Sequence, residues 1–148
     1  SANVACGYHA GDEETMNQVI KISKKMRIFF ENTDIIISSP ANRALHTAQL
    51  MMRVLNYNYD KLIVDRRLYT FYANDLIDYV HGLDNQLSKV ILVGHNPAFT
   101  ELVNHFSRKK IIHLRTAGLA KITFESNDWK SLLQGEMVLG QKTIINDY

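Results

Sequence analysis

The chain has 148 residues, a formal net charge of +2 and a single cysteine, Cys6. So small a charge leaves no electrostatic footprint for nucleic acid, and the one basic run, Arg108-Lys109-Lys110, is too short to supply it. One cysteine forbids an internal disulfide and fits a reducing, cytoplasmic setting, while the absence of a long apolar run or a signal peptide argues against membrane association. Apolar content of 46% and charged content of 22% are ordinary for a globular protein, and the length predicts one domain over 1–148 with a substantial core.

In chain order, Asn3 to Tyr8 reads as a short strand, and Gly7 and Gly11 bracket His9 in a loop. Asp12 is an expected helix cap, and Glu13 and Glu14 suit the positive end of the helix dipole. Met16, Val19, Ile20, Ser23 and Phe30 mark one face of that helix, with Lys21, Lys24, Lys25 and Arg27 on the wet side. The run from Ser1 to Asp12, SANVACGYHAGD, resembles the opening of the LamB/YcsF family, which supplies one of the subunits of 5-oxoprolinase. The likeness covers about the first twenty residues of a much longer family, so it implies no oxoprolinase activity. Residues 1–20 form an atypical first strand–loop–helix unit, joined between Val19 and Asp34 to a segment of different character.

That segment opens with Ile35, Ile36 and Ile37, a β-branched block suited to a strand buried on both faces. Ser38, Ser39 and Pro40 end the strand, and Pro40 fits a strand-to-helix corner. Ala41, Ala44, Leu45, Ala48, Met52 and Leu55 then follow helical spacing. Arg43 falls in the first turn, where the helix dipole favours negative charge. A bound anion shared by Arg43 and the exposed first-turn amides would resolve the conflict; an ordinary solvated arginine is the alternative.

Leu62 to Val64 reads as a short strand, followed by Arg66, Arg67, Leu68 and Tyr69. Asp75 is expected to cap a helix carrying Leu76, Ile77, Val80 and Leu83. Val90 to Val93 is a second buried strand, turning at Gly94 into His95, Asn96 and Pro97 before a helix with Phe99, Leu102, Val103 and Phe106. His95 thus sits, like Arg43, at the carboxyl end of a strand, where open α/β sheets bind ligands. Ile111 to Leu114 and Leu119 to Phe124 are expected as two strands around Thr116-Ala117-Gly118. Trp129 opens a short helical piece through Leu133, and 137–148 shows no clear pattern. His46, His81, His105 and His113 are expected at surface or packing positions.

The ordered set SSPANRALHTAQ, VGHNP and TAGLAKITF with NDW resembles the SixA-type phosphohistidine phosphatases of the histidine phosphatase superfamily, over about residues 34–129. The resemblance implies a three-layer α/β fold, with a mainly parallel sheet flanked by helices. It implies phosphate binding by Arg43, His95, Asn96 and Ser39, and catalysis by Arg43, His95 and a nucleophilic histidine, without metal or other cofactor. That nucleophile belongs to an Arg-His-Gly or Arg-His-Ala motif, for which this chain has Tyr8-His9-Ala10; His9 matches by position, and the arginine is missing. The general-acid glutamate common in the superfamily is absent after Tyr69. The implied partner is a phosphorylated protein of the histidine phosphotransfer type. Two rivals stand beside this reading: an impaired domain that binds phosphate or phosphoprotein without turnover, and a hybrid with no selected function.

Overall fold

The computed structural model describes residues 3–8, 13–25, 27–114 and 118–139. Among them, six strands form one sheet: β1 (Asn3–Tyr8), β2 (Ile35–Ser38), β3 (Leu62–Val64), β4 (Lys89–Gly94), β5 (Leu119–Thr123) and β6 (Glu136–Leu139). Their order across the sheet is β3-β2-β4-β1-β5-β6. β3, β2, β4 and β1 run parallel, and β5 and β6 add an antiparallel end. The helices are α1 (Glu13–Lys25), α2 (Asn42–Leu55), α3 (Ala73–His81) and α4 (Ala98–Phe106).

The period of two along buried strands divides the core into two clusters. In β4, Val90 and Leu92 pack with Leu76 and Val80 of α3 and with Phe99, Leu102 and Phe106 of α4. Ile91 and Val93 join the other cluster, with Val19 of α1 and Ala44, Ala48 and Met52 of α2. The three isoleucines of β2 divide likewise: Ile36 packs towards α1 and α2, while Ile35 and Ile37 meet the opposite cluster. Apolar residues fill both faces of these strands because helices cover both, and the architecture is the expected three-layer α/β sandwich. Among the described residues no helix is long and apolar enough to cross a membrane.

Two expectations are corrected, and one strand is added. Ile111 to Leu114 is not a strand: Asn104 hydrogen-bonds both backbone groups of Ile111, and Thr100 and Asn96 take the amide and carbonyl of Leu114. Side chains thereby satisfy polar backbone that a ladder would otherwise have to pair. Glu136–Leu139 is a strand, pairing antiparallel with β5. Asp75 does not cap α3; it lies inside the first turn and accepts from the Thr70 hydroxyl at 2.7 Å.

Trp129 is fully buried, and its indole N–H donates to the Leu87 carbonyl at 2.7 Å. Trp129→Ala is expected to destabilise the fold by about 3–5 kcal/mol through the cavity left behind, read as a lower urea midpoint.

Candidate active site

The carboxyl ends of the parallel strands share one edge of the sheet. Tyr8 ends β1 opposite Gly94 of β4, and Ser38 of β2 lies between Val93 of β4 and Val64 of β3. From β1 the chain goes on to α1 and β2 on one side. From β4 it goes on to α4 and β5 on the other. Adjacent strands whose connections pass over opposite faces of the sheet, here α1 on one and α4 on the other, leave a crevice between them, the switch point at which α/β sheets bind ligands. His95 follows Gly94 directly at this crevice. His9, the candidate nucleophile, lies outside the described residues.

The β2 corner is built by its own hydroxyls. The Ser39 amide donates to the Val93 carbonyl at 2.9 Å, and its hydroxyl accepts from the Ala41 amide at 3.3 Å. Ser38 turns its hydroxyl to the Ser39 carbonyl at 2.8 Å, and both serines are fully buried. Ser39 therefore holds the corner from within. Beyond it α2 begins without a side-chain cap and without an acidic residue in its first turn. Its first amides precede the first intrahelical bond, Leu45 to Ala41, and so lack helical partners. Arg43 is exposed in this turn, and its guanidinium makes no hydrogen bond or ion pair with a described residue. The predicted juxtaposition of a cation with unclaimed amides is present.

The β4 corner is rigid for a different reason. The ring of Phe99, fully buried at the start of α4, lies where a side chain on Gly94 would have to go. Only the bare backbone of glycine lets strand and helix approach this closely. Asn96 accepts from the Thr100 amide at 3.0 Å and hydroxyl at 2.8 Å, and donates to the Leu114 carbonyl at 2.6 Å. Its polar atoms brace the turn. The Asn96–Pro97 peptide is cis.

His95 is half-buried between two aromatic rings, Tyr69 at 5.2 Å edge-on and Phe71 at 6.0 Å. Burial pulls its imidazole below the ordinary histidine value, favouring the neutral form, with one N–H to donate and one nitrogen free to accept. Phe71 was not expected at the site; its cue in the sequence is the aromatic run Tyr69, Phe71 and Tyr72 in a polar stretch. The strap carrying these rings is anchored by Asp65. Its carboxylate takes a bidentate bond from Arg67, at 3.2 and 2.8 Å, and the hydroxyl of Tyr79 at 2.9 Å. The Arg67 bond holds the Asp65 carboxyl down at about 2, while burial, followed by the bond to Asp65, pushes Tyr79 up to about 12. Among the described residues no cluster of three or more His, Cys, Asp or Glu side chains could hold a metal ion.

Two sets of relatives correspond to two parts of the chain. The LamB/YcsF family matches residues 1–30. Within that stretch, a 5-oxoprolinase component from Staphylococcus epidermidis is 61% identical over 28 residues, 19% of this chain and 11% of the relative. The corresponding 5-oxoprolinase component of Staphylococcus aureus is 67% identical over 24 residues, 16% of this chain and 10% of its own. The chain thus spans about a tenth of the length of the curated relatives it matches.

The fold as a whole resembles other proteins. A protein histidine phosphatase SixA solved with tungstate superposes with a TM-score of 0.74 at 16% identity, over 93% of each chain. A candidate phosphohistidine phosphatase SixA from Nakamurella multipartitia gives 0.72 at 14%, over 93% of this chain and 92% of that one. Phosphoglycerate mutase from Plasmodium falciparum gives 0.59 at 15%, over 97% and 91%. The protein therefore has the histidine phosphatase/phosphoglycerate mutase fold. At these identities the likeness is one of architecture.

Two measurements check the site's construction. Gly94→Ala should cost about 1–3 kcal/mol by overpacking against Phe99, read as a lower thermal midpoint. The second is pH dependence. His95 is lowered by burial, and His105 by burial together with His81 and Lys110. The unfolded chain then holds these protons more tightly than the fold. The resulting penalty is absent above about pH 6.5 and grows as pH falls towards the lowered folded values. The urea midpoint is expected to fall between about pH 7 and pH 5, and to fall less in a His105→Gln variant.

Proposed function

We propose that the chain is a phosphatase of the histidine phosphatase superfamily, acting on phosphohistidine in a phosphorylated signalling protein. What supports this reading is that Arg43 and His95 follow the carboxyl ends of the neighbouring strands β2 and β4, Arg43 in the uncapped first turn of α2. Positive charge, free amides and a neutral imidazole at one crevice suit a phosphoryl group. The shared fold supports the superfamily.

In this mechanism an imidazole nitrogen of His9 attacks phosphorus as the bond to the substrate imidazole breaks, and the departing imidazole takes up a proton. Water then attacks the phosphorus carried by His9, releasing inorganic phosphate and regenerating the histidine. Arg43 neutralises the phosphoryl oxygens, and His95 donates to one of them. A substrate imidazole leaves readily once protonated, with a pKa of about 6.5. This lessens the need for the missing glutamate. A second reading rests on Tyr8, which ends β1 where the resembled motif has arginine: phosphate or phosphoprotein binding with little turnover.

Single-turnover hydrolysis of a phosphohistidine-bearing protein tests both. Loss of turnover in His9→Ala and His95→Ala, with a drop of about 10²–10³-fold in Arg43→Ala, is the expected result. Turnover that survives His9→Ala would remove His9 as nucleophile. Arg43-dependent phosphate binding without turnover would favour the second reading. Robust hydrolysis of phosphoserine peptides would count against a phosphohistidine preference.

A further inference from the structure

A groove of about 350 Å³ opens beside the crevice, lined by Arg67, Tyr69, Thr70, Asp75, Asp78 and Tyr79. One wall is the strap after β3; the other is a face of α3. Asp75, Asp78 and Tyr79 are spaced i, i+3 and i+4 and so share that face, while Ala73, Leu76 and Val80 are buried on another. Tyr69 belongs to both places: it lines the groove, and its ring also meets His95. The groove therefore begins where the phosphate crevice ends.

Its charge is unbalanced. Arg67 is already neutralised by its bidentate pair with Asp65. Among the described residues Asp75 accepts only the neutral Thr70 hydroxyl, and the Asp78 carboxylate has no partner. Neither exposed carboxylate is ion-paired with a described residue. The Tyr79 ring is already covered by Arg67, 4.6 Å from its centroid, which leaves Tyr69 as the aromatic wall open to an incoming side chain. The mouth is flanked by Tyr69, Phe71 and Tyr72, which remain 56%, 58% and 73% exposed. Three exposed aromatics in four residues make a surface suited to a macromolecular partner rather than to free phosphate.

We propose that this groove seats a lysine or arginine side chain of the phosphorylated protein, adjacent to the residue whose phosphoryl group enters the crevice at Arg43 and His95. The proposal rests on the phosphatase reading for the position of the phosphoryl group. Its own basis is the groove's shape, its two unpaired carboxylates and its aromatic walls. The cation would lie between Asp75 and Asp78 with its stem along Tyr69, and the strap would cover the flanking backbone. Asp75 and Asp78 thereby determine which phosphorylated segments are accepted and take no part in phosphoryl transfer.

The test uses the full chain and two labelled, unphosphorylated peptides of equal length, with a central histidine flanked by lysines in one and by glutamines in the other. Binding is followed by fluorescence anisotropy, and binding of inorganic phosphate is measured separately. The lysine peptide is expected to bind about tenfold more tightly, with a preference that shrinks as salt is raised. Asp78→Asn, an isosteric change at an exposed position, should reduce that preference without altering the thermal midpoint or phosphate binding. A double variant, Asp75→Asn with Asp78→Asn, should abolish it. Equal binding of the two peptides, or a preference untouched in the double variant, overturns the proposal. If phosphate binds in an Arg43-dependent way while the peptides bind equally, the groove assignment alone fails. A lysine preference that depends on Asp78 without any phosphate binding supports the groove and counts against the phosphatase reading alone.

Discussion

The parallel pairing of β1 with β4 is the constraint on which the structure depends. Six residue pairs join the two strands, from Asn3 with Lys89 to Tyr8 with Gly94, and β1 pairs on its other edge with β5. Among the described residues no other strand links β3-β2-β4 to β5-β6. The same pairing makes the crevice, because it brings together two strands whose connections leave in opposite directions. Stability and site geometry therefore share one origin, a backbone ladder that binds Tyr8 and Gly94 into register at the edge where ligands collect.

Around that ladder the site is built in two materials. The β2 and β4 corners are closed and rigid: Ser38 and Ser39 are buried, Asn96 is committed on both its polar ends, and Phe99 fills the space over Gly94. These groups set where Arg43 and His95 begin without occupying the crevice. The strap from Asp65 to Tyr72 is largely exposed and presents three aromatic rings, and it is held by Leu68 in the core and by the Asp65–Arg67–Tyr79 network.

The first thirty residues match one family while the whole fold is that of another. The sheet accommodates this because ladder hydrogen bonds come from the backbone, so a strand–loop–helix unit of suitable length and patterning can take the central place. Val19 and Ser23 of α1 are buried beside the α2 layer, which shows the helix docked on its patterned face. Chemistry is less portable than architecture: a fold accepts any compatible strand, whereas a site needs particular side chains at its end. Tyr8 in place of arginine is where that difference falls.

Much of the frame was legible in the residues. The Ile35–Ile37 block, the helical spacing from Ala41 to Leu55 and the turn Gly94 to Pro97 are local patterns, and local patterns identify a buried strand, an amphipathic helix and a corner. Ile111 to Leu114 misled, because Ile111 and Leu114 do fill the core while Asn104, Thr100 and Asn96 satisfy their backbone from a helix and its lead-in. Glu136–Leu139 was illegible, because its strand character comes from β5 rather than from its own composition. The sequence by itself determined that Arg43 and His95 each follow a buried strand, at a strand-to-helix corner. Tertiary structure alone decided that those strands are neighbours and that Tyr69 and Phe71 close on His95, since both are long-range contacts that follow from the order in which the strands pair, and that the segment after β3 folds back on α3 to leave a groove at Asp75 and Asp78.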